Sequence, residues 1–188
     1  TDVAAVKTKE PWIFDASANI YFSNNKYINP VITAGKGKLH LEARFNYEDF
    51  NTGSVWSGYN FTVGKKWLLE ATPMVGMVFG KVNGIAPGIE LSLTHKWLEF
   101  YTEGEWFNSF EIKEENFAYF WSDLYFYPKE WLWLGLSGQR LKMYESQIEF
   151  QKGLLVGGNF KKIYLTSYFY NPFSDGNFYL MLSTGIIF

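Results

Sequence analysis

"GNFYLMLSTGIIF", residues 176–188, closes the chain, and its reading decides the fold. Phe178, Leu180, Leu182, Thr184, Ile186 and Phe188 occupy every second place. Tyr179, Met181, Ser183, Gly185 and Ile187 lie between them. A period of two marks a strand with two unlike faces. The same alternation runs back to Trp12, and helical spacing almost never beats it. It predicts strands at 12–22, 28–34, 38–48, 54–63, 67–80, 88–95, 97–107, 116–127, 131–143, 147–159, 162–171 and 177–188, with turn residues between them.

The connections fall into two alternating classes. Tight ones carry lysine: "GKGK" (35–38), "GKK" (64–66), "HK" (95–96), "PKE" (128–130) and "KK" (161–162). The others are mostly longer and more polar: "NNKY" (24–27), "DFNTG" (49–53), "KVNGIAP" (81–87), "NSFEIKEE" (108–115), the 144–147 region and "PFSDG" (172–176). Successive antiparallel strands put one class at each end of the sheet. An even strand count leaves both termini at the tight-turn end. About twelve strands are expected, provided the Pro-containing 28–34 counts as a strand; ten is the alternative.

The two faces differ in kind. In "LHLEARFNY" (39–47), Leu39, Leu41, Ala43, Phe45 and Tyr47 oppose His40, Glu42, Arg44 and Asn46. In "WLEFYTEGEW" (97–106), Leu98, Phe100 and Trp106 oppose Glu99, Tyr101, Glu103 and Glu105. A soluble sandwich turns the apolar face inward; a membrane barrel turns it out to lipid. Periodicity is identical in both, so other features decide. Strands of about 9–13 residues suit a tilted crossing of the hydrocarbon layer and exceed the usual soluble length. A soluble closed barrel of about twelve strands has an interior too wide for aliphatic side chains to fill. Trp follows three tight turns, in "KKW" (65–67), "HKW" (95–97) and "KEW" (129–131), as an interfacial girdle requires. Strict parity puts only Trp67 of these on the lipid side.

Composition agrees. Of 188 residues, 47% are hydrophobic and 21% aromatic, yet mean hydropathy is -0.15. The apolar residues are therefore dispersed, and no run reaches the roughly 18 residues of a spanning helix. A formal charge of -2 offers no basic patch for nucleic acid. With no Cys, disulfide scaffolds and thiolate metal sites are excluded. "TDVAAVKTKEP" lacks the apolar core of a secretory signal. It reads as a poorly ordered lead-in over 1–11, with a single barrel over 12–188.

The last strand, "FYLMLSTGIIF", ends on an aromatic residue. It resembles the C-terminal signature of bacterial outer-membrane β-barrels, and the chain from about Pro30 onward is similar to a group of uncharacterised proteins of that kind. "LHLEARFNYEDFNTGSVWSGYNF" (39–61), "GIAPGIE" (84–90) and "GLSGQR" (135–140) carry that likeness. The resemblance implies an all-β, closed antiparallel transmembrane barrel in the outer membrane, with periplasmic termini and short periplasmic turns. It implies membrane lipid or lipopolysaccharide and the barrel-assembly machinery as partners, and leaves other envelope partners unnamed. It assigns no activity. The loops are short for a classical porin, and none stands out as a long constriction loop.

On this reading Glu42, Arg44, Glu70, Glu90, Glu99, Glu103, Glu105, Asp123, Arg140 and Glu149 line the pore. Arg140 shares its parity with Leu132, Leu134 and Leu136, so an inward Arg140 needs a slip near Gly138. Pro73, in mid-strand, demands a bulge or a local break. The excess of carboxylates predicts a porin-like channel that favours small cations or small polar solutes. A second reading is a non-conducting barrel, an anchor or envelope-complex subunit, closed by Trp56, Trp121, Trp133, Tyr101 and Tyr125. A third is a lipid-modifying enzyme using His40, although no Ser is marked as its partner. No cofactor is expected, and no metal-ligand spacing occurs along the sequence.

Overall fold

The computed structural model describes residues 10–23, 26–143, 149–174 and 178–188, with the backbone alone for 141–143 and 149. The 1–9 lead-in and the 144–148 connection lie outside the described residues. The strands are β1 (Ile13–Phe22), β2 (Tyr27–Lys36), β3 (Leu39–Phe45), β4 (Thr52–Tyr59), β5 (Phe61–Val63), β6 (Leu68–Gly80), β7 (Gly84–His95), β8 (Leu98–Ser109), β9 (Phe117–Lys129), β10 (Leu132–Met143), β11 (Glu149–Phe160), β12 (Ile163–Tyr170) and β13 (Tyr179–Ile187). The one helical feature among the described residues is a 3₁₀ turn at Lys113–Glu115.

All strands belong to one antiparallel sheet. It closes because β1 pairs with β13 while β4 and β5 both pair with β6. β4 and β5 are two parts of one stave. Gly58 faces Met74 and Phe61 faces Ala71 in a single continuous register. The gap lies opposite Pro73, which has no N–H to give to a ladder. Thr72 Oγ1 spans the gap, 2.9 Å from Asn60 Oδ1. So Pro73 interrupts the ladder without slipping it, and the 13 strands make a barrel of 12 staves.

Closure joins the two ends of the chain. Phe14 and Phe188 exchange backbone hydrogen bonds of 2.9 Å, and their rings stack with centroids 5.7 Å apart. The greasy final strand is thus hydrogen-bonded on both edges, to β1 and to β12. A closed sheet leaves no unpaired edge, which is what a backbone in hydrocarbon requires.

The faces now have directions. Along β3, Leu39, Leu41, Ala43 and Phe45 are exposed, while His40, Glu42 and Arg44 are buried. Phe79, Phe100, Phe120 and Leu136 are exposed on other staves. Inside, Tyr21, Trp121, Leu155, Tyr168, Tyr170 and Met181 form one cluster. Trp56, Met74, Val78, Ala86 and Phe107 anchor a second. Apolar residues out and charged residues in is the reverse of a soluble protein and the polarity of a membrane barrel.

Three details depart from the sequence reading. The 81–87 connection is only 81–83, because β7 already begins at Gly84. Its ladder to β8 skips Ala86 and Pro87 and resumes in the same register at Gly88. Trp97 turns outward after all, packing edge-on against the outer-face Phe126 at 5.2 Å. It belongs to the turn set by Lys96, whose φ of 55° breaks the strand parity. Trp131 also sits in a turn, and both it and Trp67 are exposed; Trp67 stacks on His95 at 4.2 Å.

Candidate functional site

The inward row of β3 supplies the centre of the lumen. His40 Nε2 lies 2.6 Å from Glu42 Oε1, and Arg44 Nε donates to Glu42 Oε2 at 2.6 Å. Residues i and i+2 on one face are neighbours, so the sequence "HLEAR" builds this relay by itself. Arg44 then reaches across the barrel. Its Nη1 lies 3.4 Å from Glu105 Oε2 on β8. Its guanidinium lies over the rings of Tyr47 and Trp56, 4.5 Å from each centroid. Trp56 has room for this because Gly76 faces it on β6; a Cβ at Gly76 would overlap the indole.

Further carboxylates crowd this knot. Glu90 and Glu103 sit directly opposite each other on β7 and β8, an arrangement that is unfavourable for like charges. Glu103 accepts hydrogen bonds from Tyr47 and from Tyr101, the latter at 3.0 Å. One donor atom each from His40, Glu42 and Glu90 lies within 4.8 Å of the other two. That trio has the chemistry to hold a cation, although Arg44 already occupies one Glu42 oxygen. Sequence spacing could not show the trio, because Glu90 comes from a distant strand. The space left beside the knot is about 10 Å³, roughly the room of a single water.

Across the lumen lies a second polar centre. Asp123 on β9 accepts from Trp121 Nε1 at 2.7 Å, Tyr125 at 2.6 Å and Tyr168 at 3.0 Å. Tyr170 accepts from Gln139 Nε2 at 2.7 Å and lies 2.8 Å from the Ser137 hydroxyl. Trp56 and Trp121 are buried, and Tyr101, Tyr125 and Trp133 partly so, all within the lumen.

The remaining candidates are spread out. Glu99 accepts from Ser92 at 2.8 Å and Tyr127 at 2.7 Å, toward the tight-turn end. Glu70 has inward parity, facing Ser92, but is exposed at that rim. The side chain of Glu149 lies outside the described residues. Arg140 is a correction: it is exposed on the outer wall between Phe120 and Phe150. The expected slip at Gly138 does not occur, since the β9–β10 register shifts only between Leu132 and Leu134. His40 hydrogen-bonds to Glu42, and no serine partners its ring among the described residues. The sequence reading missed Tyr47 and Glu48, which the 46–51 connection folds into the lumen. Glu48 Oε1 accepts from Ser54 at 2.5 Å and from Trp56 Nε1 at 3.2 Å.

No protein-family profile matches the sequence, and no curated protein matches it. Solved structures do match in fold. The KdgM porin superposes with a TM-score of 0.67 at 9% identity, covering 93% of this chain and 98% of that one. The KdgM porin in complex with disordered oligogalacturonate gives 0.66 at 10% identity over the same shares. The NanC porin gives 0.59 at 10% identity, again over 93% and 98%. The fold is that of the outer-membrane porins.

The charged groups gathered in the lumen are unequal in number. Glu42, Glu90, Glu103 and Glu105 surround Arg44 and His40. The loop residues that enter, Tyr47 and Glu48, add a ring and another carboxylate. Their signal in the sequence is faint: Tyr47 keeps the outward parity of Phe45 on paper, but Asn46 at φ 57° ends the strand and resets it.

Proposed function

We propose that the chain is a narrow porin-like channel of the outer membrane, its acidic lumen favouring small cations and small polar solutes. The observation that carries this is the imbalance of charge around Arg44. Four glutamates on facing staves share one guanidinium and one imidazole. In a dry plug that arrangement is costly, because buried charge must be paired. A lumen that admits water and cations screens it, and such a lining attracts cations and repels anions. The oligogalacturonate bound by the KdgM porin is an acidic oligosaccharide; this lumen repels such a solute. The longer connections then face outward, and the tight turns and both termini face the periplasm. Among the described residues no serine hydrogen-bonds to the His40 ring, as the lipid-hydrolase reading needs.

Planar-bilayer recording of the refolded protein tests the reading. Single-channel steps with a reversal potential toward the cation side are expected, and silence from well-folded protein would overturn it. One observation favours the second reading, a non-conducting barrel. Phe107, Tyr170 and Met181 are fully buried in the loop-end half of the lumen, where side chains pack as in a core. Passage therefore requires that the side chains of this half, and Tyr47 and Arg44 beside it, move. A barrel that folds, shifts on unboiled gels and never conducts is the outcome that reading expects.

A further inference from the structure

The outer wall carries a groove that the channel does not use. Its volume is about 430 Å³. Its floor is a row of small residues, Ser122 on β9 and Gly138 on β10, directly opposite each other. Bulky rows wall it on both sides, Phe120 with Phe150 toward the loop end and Leu124 with Leu136 toward the tight-turn end. The dent is not a general property of outer-face glycines. At Gly104 the ring of Phe120 lies over the bare Cα, and a Cβ there would come within 2.7 Å of it. At Gly138 a Cβ meets nothing nearer than Phe150 at 3.6 Å, an ordinary contact.

One cation lines this groove and a second stands beside it. Arg140 lines it, and Lys152 faces Gly138 across the β10–β11 ladder with its ammonium 5.7 Å from the Phe150 ring centroid. No carboxylate pairs with either among the described residues. A cation on a lipid-facing wall is unfavourable at depth and tolerated near an interface. Arg140 is close to the end of β10 at Met143, and Phe150 is the second residue of β11, so both lie at the loop end. A fork of N–H donors is suited to a phosphate, and the slot beside it is walled by Phe120, Phe150, Leu124 and Leu136, an apolar lining that suits hydrocarbon.

We propose that this groove is a specific site for a phosphorylated outer-leaflet glycolipid of the lipid A type, its phosphate held by Arg140 and Lys152 and one acyl chain lying between the two bulky rows. The assignment to the outer leaflet rests on the reading that the longer connections face outward. The lipid readout below does not depend on conduction, so it and the channel reading fail separately.

The experiment is native mass spectrometry of the refolded barrel in detergent, with bis-phosphorylated, hexa-acylated lipid A as the probe. The wild type retains one lipid A. Arg140→Ala combined with Lys152→Ala weakens retention about tenfold or more. Gly138→Leu fills the slot with the cations intact and weakens it comparably. Each variant keeps the unboiled-gel shift of a folded barrel, since all three positions face outward. Retention unchanged in either variant, or no retention by the wild type, overturns the proposal. Equal retention of dephosphorylated lipid A removes the role of the cations. Equal retention of phosphatidylglycerol removes the assignment to the outer-leaflet glycolipid.

Discussion

Glu42 and Asp123 occupy equivalent places on opposite walls of the lumen. Both are buried, Glu42 to 7% and Asp123 to 1% exposure. Both are flanked on their own strand by partners two residues away. Glu42 has His40 and Arg44; Asp123 has Trp121 and Tyr125. The partners differ in kind. Glu42 is answered by cationic or ionisable groups, and more carboxylates then gather around the same guanidinium. Asp123 is answered by neutral donors from β9 and β12, with no cation in its set. The β3 wall therefore depends on one residue for its balance of charge, and the β9 wall spreads the task over three. On the proposed channel reading, the first is where an ion's passage registers and the second is structural filling.

The largest effect is expected from Arg44→Ala. Removing one partner of a buried ion pair leaves charge uncompensated and lowers stability by about 3–5 kcal/mol. Urea titration of the barrel folded into lipid bilayers reads this directly. Arg44→Lys should recover only part of the loss, because an ammonium cannot serve Glu42, Glu105 and two aromatic faces at once. A loss near zero for Arg44→Ala would mean that water already screens the knot, and the contrast with Asp123 would collapse.

Asp123→Ala comes next, at about 2 kcal/mol, because it orphans buried donors on Trp121, Tyr125 and Tyr168. Conduction should be unaltered by it. A change in ion selectivity equal to that of Arg44→Ala would place Asp123 on the permeation path and make the two walls alike. Tyr125→Phe is smaller still, about 1 kcal/mol, since Asp123 keeps two of its three donors. If it matched Asp123→Ala, the cluster would be acting as one indivisible network.

Much of this was legible along the chain, and the reason is geometric. Period-two alternation fixes which residues share a face, so the outward row of β13, the inward row of β3 and the outward Phe and Leu of β8 to β10 follow from spacing. Pro73 announced its own gap. What spacing cannot carry is the behaviour of residues where extension stops. Trp97 and Tyr47 both adjoin left-handed residues, Lys96 and Asn46, and both leave the parity of the strand beside them. Nor can spacing say which staves meet across the lumen, so Glu105 beside Arg44 and Tyr168 beside Asp123 needed the closed sheet. Arg140 taught the opposite lesson. Its parity holds as written and no slip brings it inside, because an outer wall tolerates a cation near the interface.

The smallest effect on stability is expected from Glu103→Gln with Glu105→Gln, within about 1 kcal/mol, although its effect on selectivity should be plain. Glu103 faces Glu90 directly, so removing its charge relieves one like-charge contact while weakening the acceptor for Tyr47 and Tyr101. Glu105 meets Arg44 at only 3.4 Å, the longer of that residue's carboxylate contacts. The two consequences nearly offset in the folded state. They do not offset for an ion passing Arg44, which meets two negative charges fewer there. The reversal potential in a salt gradient should therefore move toward zero. An unchanged reversal potential, with channels still open, would show that ions bypass the Arg44 knot, and the acidic wall would then be structural in the same sense as the Asp123 wall.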